Sequence, residues 1–156
     1  MPWTDAQLAY LAGIVDGEGT ITITSYKNSR KGKGKEHGRY GAKFSIINCD
    51  EGLMLWLVEN FGGSSRPMKR NKINKAHRIS YVWDMGERAA TPVISAICPF
   101  LVIKKAQALL YLEFRGTRNV TGAQKHGLSE KVVEMREIVV DKIKFLNRKG
   151  PRDVVA

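Results

Sequence analysis

Asp16 and Glu18 flank Gly17 at the end of a helical pattern, in the segment Leu11-Ala12-Gly13-Ile14-Val15-Asp16-Gly17-Glu18-Gly19. The C-terminal end of a helix is the negative end of its dipole, and anionic side chains are unfavourable there. Carboxylates gathered with free backbone carbonyls do suit a hard divalent cation. Mg²⁺ takes one or two carboxylates, carbonyl oxygen and water, with a phosphate completing the shell. The competing explanation is that Asp and Gly simply end the helix. Residue types alone leave both readings open. Cys49 and Cys98 lack metal-ligand spacing and are expected to be small buried thiols, and no Cys/His cluster suggests zinc.

The elements that hold these carboxylates can be read around them. Thr4 is a good N-cap, Gln7 completes a capping box, and Trp3 and Leu8 are placed for a hydrophobic staple. A helix is therefore expected over about 4–17, with Leu8, Leu11, Ile14 and Val15 as its apolar side. Ala9, Ala12, Gly13 and Asp16 fall at helical spacing. Gly13 costs a helix interior about 1 kcal/mol relative to alanine. Close approach of another backbone offsets such a cost, so these four positions are the expected contact with a second helix, such as a symmetry mate.

Residues 20–26 alternate Thr and Ile. Residues 39–48 alternate again, with Tyr40, Ala42, Phe44 and Ile46 on one face and Gly41, Lys43, Ser45 and Ile47 on the other. Together they predict a hairpin over about 19–48. Asp50 is placed to cap a helix that Gly62 and Gly63 stop. A second hairpin covers about 64–84, with strands at 64–70 and 76–84 and with His77, Ile79, Tyr81 and Trp83 as its core face. Helices fill about 87–148: one over 87–97, one opened by Pro99 and ending before Gly116, and one capped by Ser129. Helix-then-hairpin, twice, predicts an α+β domain over 1–156, an antiparallel sheet with helices on one face. No copy of the first helix recurs downstream.

The formal net charge is +11, which points to an anionic partner. Residues 27–43 and 66–78 hold 13 of the 26 Lys and Arg residues but only 1 of the 15 acids. Two basic islands on a balanced scaffold form the electrostatic footprint of a nucleic-acid binder. Both fall on predicted hairpins and not on an amphipathic helix, which argues against a membrane-surface protein. No apolar run reaches the length of a membrane span, about 20 residues. Nor does Met1-Pro2-Trp3-Thr4-Asp5 begin a signal peptide. An intracellular protein is expected, in a cytoplasm or an organelle and not secreted.

The segment 11–19 resembles the LAGLIDADG motif, with Ile-Val for Leu-Ile, Gly for Ala and Glu for the final acid. The predicted element order also resembles the αββαββα core of the LAGLIDADG homing endonucleases, whose saddle-shaped sheet faces DNA. The resemblance implies a single-motif member that works as a homodimer, with motif helices at the interface. It implies that Glu18 binds the catalytic metal, Mg²⁺ or Mn²⁺, with help from the Gly17 carbonyl, while Asp16 mainly supports the helix end. Pro99-Phe100-Leu101-Val102-Ile103-Lys104-Lys105 is similar to the segment that delivers a basic residue to the active site, which makes Lys104 the candidate and Lys105 the second choice. Asn48 matches the polar residue after the second strand. No basic residue follows it around Glu51-Gly52-Leu53-Met54, where the spacing is about two residues short of the family pattern.

Two-stranded ribbons fit the major groove. A strand of about nine residues spans ~30 Å, or about nine base pairs, so a dimer would read roughly 18–20 base pairs of a near-palindromic duplex. Alternation counted from Glu18 puts Thr22, Thr24, Tyr26 and Asn28 on the DNA face, joined by Arg39, Lys43 and Ser45 from the return strand. Arg39 and Lys43 are candidates for guanine edges. Arg30 joins the binding set, and Lys31, Lys33 and Lys35 are assigned to phosphate. The second hairpin adds Arg66, Lys69, Arg70, Lys72 and Arg78. The implied reaction is double-strand phosphodiester hydrolysis leaving a short 3′ overhang. The alternatives are a maturase that assists splicing of an intron RNA and a non-catalytic DNA-binding regulator on the same fold.

Overall fold

The computed structural model describes residues 3–26, 39–68, 78–119 and 129–148. In chain order they form α1 (Asp5–Glu18), β1 (Gly19–Tyr26), β2 (Arg39–Asn48), α2 (Glu51–Phe61), β3 (Ser64–Pro67), β4 (Tyr81–Met85), α3 (Glu87–Ile97), a 3₁₀ turn (Cys98–Phe100), α4 (Lys105–Asn119) and α5 (Glu130–Leu146). The strands make one antiparallel sheet in the order β1-β2-β4-β3. This is the α+β arrangement that the element order predicts. Among the described residues no helix is long and apolar enough to cross a membrane.

Local signals set the helix ends. The Gln7 N–H donates to Thr4 Oγ1 at 3.2 Å, and the Thr4 N–H donates to Gln7 Oε1 at 2.9 Å, closing the capping box. Gln7 Nε2 then reaches Asn60 Oδ1 at 2.7 Å, and Trp3 Nε1 donates to the Asn60 carbonyl at 2.8 Å. One cap thus ties the start of α1 to the end of α2. Asp50 and Ser129 cap α2 and α5 as expected. Gly62 and Gly63 both stand at φ +80°. A Cβ on Gly63 would lie 2.6 Å from the Asp84 carbonyl, so only glycine lets β3 settle beside β4.

Strand alternation separates two faces. Ile21, Ile23, Tyr40, Phe44, Ile46, Trp83 and Met85 are buried on one. There the Phe44 and Trp83 rings meet edge to face at 5.4 Å. The indole N–H of Trp83 reaches the Gly62 carbonyl at 2.8 Å, which satisfies its one donor. Helices α1, α3, α4 and α5 pack against β1 and β2, and α2 packs against β3 and β4. Trp83 and Tyr81 therefore belong to the core side. Ile79 departs from the expectation: it precedes β4 and is exposed.

Four further expectations change. The regular strands of the second hairpin are shorter than 64–70 and 76–84, although the Met68 N–H still reaches the Ser80 carbonyl at 2.8 Å. Pro99 opens a single 3₁₀ turn and not α4, because the next backbone N–H groups bind a carboxylate described below. α4 also runs past Gly116. Thr117 Oγ1 donates to the Phe114 carbonyl at 2.6 Å and accepts from Arg136 Nε at 2.9 Å, which holds that last turn. Of the two free thiols, Cys98 is buried as expected but Cys49 is exposed.

Candidate active site

α1 carries Asp16 and Glu18 to the point where β1 begins at Gly19. A Cβ on Gly19 would stand 2.7 Å from both Cα and the carbonyl oxygen of Val15, so the turn from helix to strand admits no side chain. Asp16 turns inward. Its two carboxylate oxygens accept the Val102 and Lys104 N–H groups, each at 2.8 Å. Lys104 Nζ completes the clasp, donating to the Val15 and Asp16 carbonyls at 2.8 Å each. A cation here complements the negative end of the dipole. Burial alone would raise the Asp16 pKa, but the N–H donors of Val102, Lys104 and Ile103, with the Lys104 charge, hold it below the ordinary aspartate value. Burial lowers the Lys104 pKa, and the Asp16 charge opposes that shift.

Glu18 turns outward and is exposed. Its carboxylate accepts a short hydrogen bond from Asn48 Nδ2. The Asn48 Oδ1 accepts the Asp50 N–H at 2.8 Å, and Asp50 Oδ1 accepts the Leu53 N–H at 2.8 Å. The α2 cap thereby fixes which way Asn48 presents its amide. An open cleft runs along this side of α1, lined by Tyr10, Gly13, Gly17, Glu18, Asn48 and Leu53. The structure thus gathers Glu18, Gly17 and Asn48, with Lys104 behind them on the helix end.

The donor chemistry here fits a hard cation. Glu18 offers exposed carboxylate oxygen beside the Gly17 backbone, and no group of three or more His, Cys, Asp or Glu side chains forms a metal cage among the described residues. One carboxylate with water and phosphate suits Mg²⁺ or Mn²⁺. It does not suit zinc, which takes four protein ligands, or three with an open position.

Not all the small residues of α1 face the same way. Ala9, Gly13 and Gly17 are exposed, and a Cβ on Gly13 or Gly17 would meet nothing within 4 Å. Ala12, expected beside them, is fully buried in the protein's own core, and the Asp16 carboxylate is committed to Val102 and Lys104. Those two positions are therefore corrected out of the outward contact face. Large apolar side chains take their place around it: Tyr10 (55% exposed), Leu55 (62%), Val102 (85%) and Ile103 (65%). Tyr10 packs edge-on against Trp56 at 5.2 Å. The small-residue pattern gave no pointer to these four.

The outer face of the sheet is largely polar, with Ile47 and Val82 as an apolar register pair on it. Thr22 and Thr24 lie on it half-buried, alternating with the buried Ile21 and Ile23, and exposed Lys43 stands opposite Thr22 in the register. Ser45 shares the face but is only 1% exposed, and its hydroxyl has no hydrogen-bond partner, so it is not the open surface group expected. Arg66 is exposed and paired with Asp84, an acid the sequence reading passed over. Arg78 is exposed ahead of β4. Tyr26 and Arg39 end their strands as a register pair, described in backbone only. Asn28, Arg30, Lys31, Lys33, Lys35, Lys69, Arg70 and Lys72 lie outside the described residues.

The sequence matches no protein-family model and no curated relative. Solved structures do match across nearly the whole chain. The homing endonuclease I-CvuI in complex with its target superposes with a TM-score of 0.71 at 19% identity, over 96% of this chain and 87% of that one. The archaeal intron-encoded homing endonuclease I-Vdi141I, complexed with DNA, gives 0.70 at 18%, over 96% and 89%. The LAGLIDADG homing endonuclease I-GzeII in complex with its DNA target gives 0.59 at 21%, over 96% of this chain but only 44% of that longer one. The chain has the LAGLIDADG homing endonuclease fold.

Proposed function

We propose that this protein is a site-specific endonuclease that cuts both strands of a long, near-palindromic DNA duplex as a homodimer with a divalent cation. The observation that carries the reading is the exposed Glu18 carboxylate, aimed by Asn48 from the end of a helix whose glycine face is open. The fold match to DNA-bound homing endonucleases supports it. So does charge: 13 of the 26 Lys and Arg residues fall in 27–43 and 66–78, and Thr22, Thr24 and Lys43 lie on the sheet face away from the core.

Energetics and geometry support a second copy. Gly13 costs α1 about 1 kcal/mol against alanine, and among the described residues nothing lies within 4 Å of where a methyl would stand. A partner helix laid on Ala9, Gly13 and Gly17 would use it, and would cover Tyr10, Leu55, Val102 and Ile103. Two copies would bring two Glu18 carboxylates to one axis, matching two strands of DNA. I-GzeII, which this chain matches over 44% of its length, has room for two such units in one chain.

In the proposed reaction Glu18 and the Gly17 carbonyl are the groups that would hold the cation. When bound, Mg²⁺ or Mn²⁺ supplies Lewis acidity to the phosphoryl oxygens and makes a nearby water more acidic. Asn48 orients the Glu18 carboxylate through its amide hydrogen bond. Lys104 spends two of its three ammonium hydrogens on the helix carbonyls, which leaves one for a phosphate oxygen. Thr22, Thr24 and Lys43 present the sheet to the major groove, and the lysines of the 27–38 segment hold phosphate.

The test is cleavage of a randomised duplex library by the full chain with Mg²⁺, with Mn²⁺ and with EDTA. Metal-dependent double-strand cuts at one long, two-fold-related sequence are expected. Salt-sensitive binding without cutting under either metal would overturn the reading.

A further inference from the structure

The outer face of the sheet carries an acid among its cations. Asp84 of β4 stands opposite Ser45 of β2 and Ser64 of β3. Arg66, two residues along β3, closes on it at two points: Nη1 donates to Oδ1 at 3.0 Å and Nη2 to Oδ2 at 2.7 Å. Ser64 Oγ adds a 3.3 Å contact to Oδ1. Hydrogen bonding from Arg66 holds the Asp84 carboxyl below the ordinary range against the opposing effect of burial, with help from the Arg66, Ser64 and Lys43 neighbours. The acid is therefore ionised whenever DNA is bound near neutral pH.

An ion pair this exposed adds little to stability. An anion on a phosphate-binding face also works against affinity. What the pair does provide is orientation. A guanidinium has five N–H donors, and Asp84 takes two of them at the far end. The side edge, made of Nε–H and the second Nη2 hydrogen, is left over, and the Arg66 side chain remains 58% exposed. Two parallel donors at that spacing match guanine O6 and N7 in the major groove. A guanidinium fixed before binding loses less side-chain freedom on binding.

We propose that Arg66, oriented by Asp84, specifies a guanine in each half of the DNA target, with Asp84 as its positioning residue. The proposal rests on the endonuclease reading above. Asp84 shares a cross-strand row with Ser45 and Thr20, and Thr20 lies two residues from Glu18. The guanine therefore belongs to the inner part of each half-site, on the side of the cut. Asp84 also repels phosphate, so a duplex without that guanine gains nothing to offset the repulsion.

The experiment is selection from a randomised duplex pool by the full chain in parallel with R66K, R66A and D84N, at fixed salt. The wild type should enrich guanine at one symmetric pair of inner positions. R66K keeps the charge but not the two-donor edge, and should lose that preference by roughly tenfold or more while other positions hold. R66A should lose it as well. D84N should keep or raise affinity for random duplex and weaken the preference at that same pair. A selected site whose profile survives R66K unchanged, or a uniform loss of affinity in R66A with no change of profile, overturns this inference and leaves the endonuclease standing. A wild type that selects no sequence overturns both.

Discussion

Asp16 and Glu18 share a helix end, a charge and a neighbouring glycine, yet the fold treats them in opposite ways. Asp16 faces back into the protein, where the Val102 and Lys104 N–H groups and the Lys104 ammonium close a four-bond clasp on the end of α1. Glu18 faces out with one amide on it. The first carboxylate meets fixed partners and is stabilising. The second is left exposed where a negative dipole end disfavours it. Two acids in one motif thus divide into one fastened inward and one left open to solvent. The division is decided by the 102–104 segment and not by the acids themselves.

The sharpest way to break that comparison is to neutralise each acid in turn. E18Q should cut the cleavage rate by on the order of 10²–10³ or more, as loss of a group acting on developing charge does. Its melting temperature should hold or rise slightly, because an unfavourable charge has left the helix end. D16N should do the reverse in order: an amide nitrogen would face one of two N–H donors, at a cost of about 1–3 kcal/mol in unfolding free energy. Urea titrations beside single-turnover cleavage measure both. A D16N protein that melts like the wild type but does not cut would place Asp16 in the chemistry and erase the distinction.

A smaller effect sharpens the same point through pH. The folded protein holds Asp16 below its ordinary pKa, so the ionised form favours folding. That contribution is complete above the unfolded value, about 3.9, and is lost as pH falls through the lower folded value. Stability measured between pH 6 and pH 3 should fall less steeply in D16N than in the wild type. Equal slopes would mean that the clasp is not closed in solution. K104M, which removes the ammonium but keeps much of the stem, should cost about 1–2 kcal/mol, discounted for partial exposure.

Much of this scaffold was legible because its signals are local. The Thr4–Gln7 capping box, the Asp50 and Ser129 caps and the Thr/Ile alternation of β1 each need only a few adjacent residues. Glu18 and Asn48 could be named from the motif resemblance, and the structure brings them together across 30 residues of chain. What was not legible depends on distant partners. The Asp16 clasp joins residues 86 and 88 positions apart, and it also explains why α4 begins at Lys105 and not at Pro99. Ala12 misled because α1 is small or apolar on both sides. Spacing put Ala9, Ala12 and Gly13 together without saying which faced inward. Asp84 escaped notice because its meaning lies in Arg66, on the neighbouring strand.

Gly13 offers the smallest change and the most discriminating sign. Among the described residues a methyl at this position meets nothing within 4 Å, so G13A in an isolated chain should stabilise α1 by up to about 1 kcal/mol through helix propensity alone. In a dimer closed on that face, the same methyl stands between two backbones. It should weaken association while the single protomer grows more stable. Sedimentation equilibrium and thermal melting over a hundredfold range of protein concentration separate the two terms. The expected outcome is a higher melting temperature when dilute, a weaker concentration dependence, and cleavage that falls off at concentrations where the wild type still cuts. If G13A raises stability with dimerisation untouched, the glycine face is not the interface, and two Glu18 carboxylates do not meet across it.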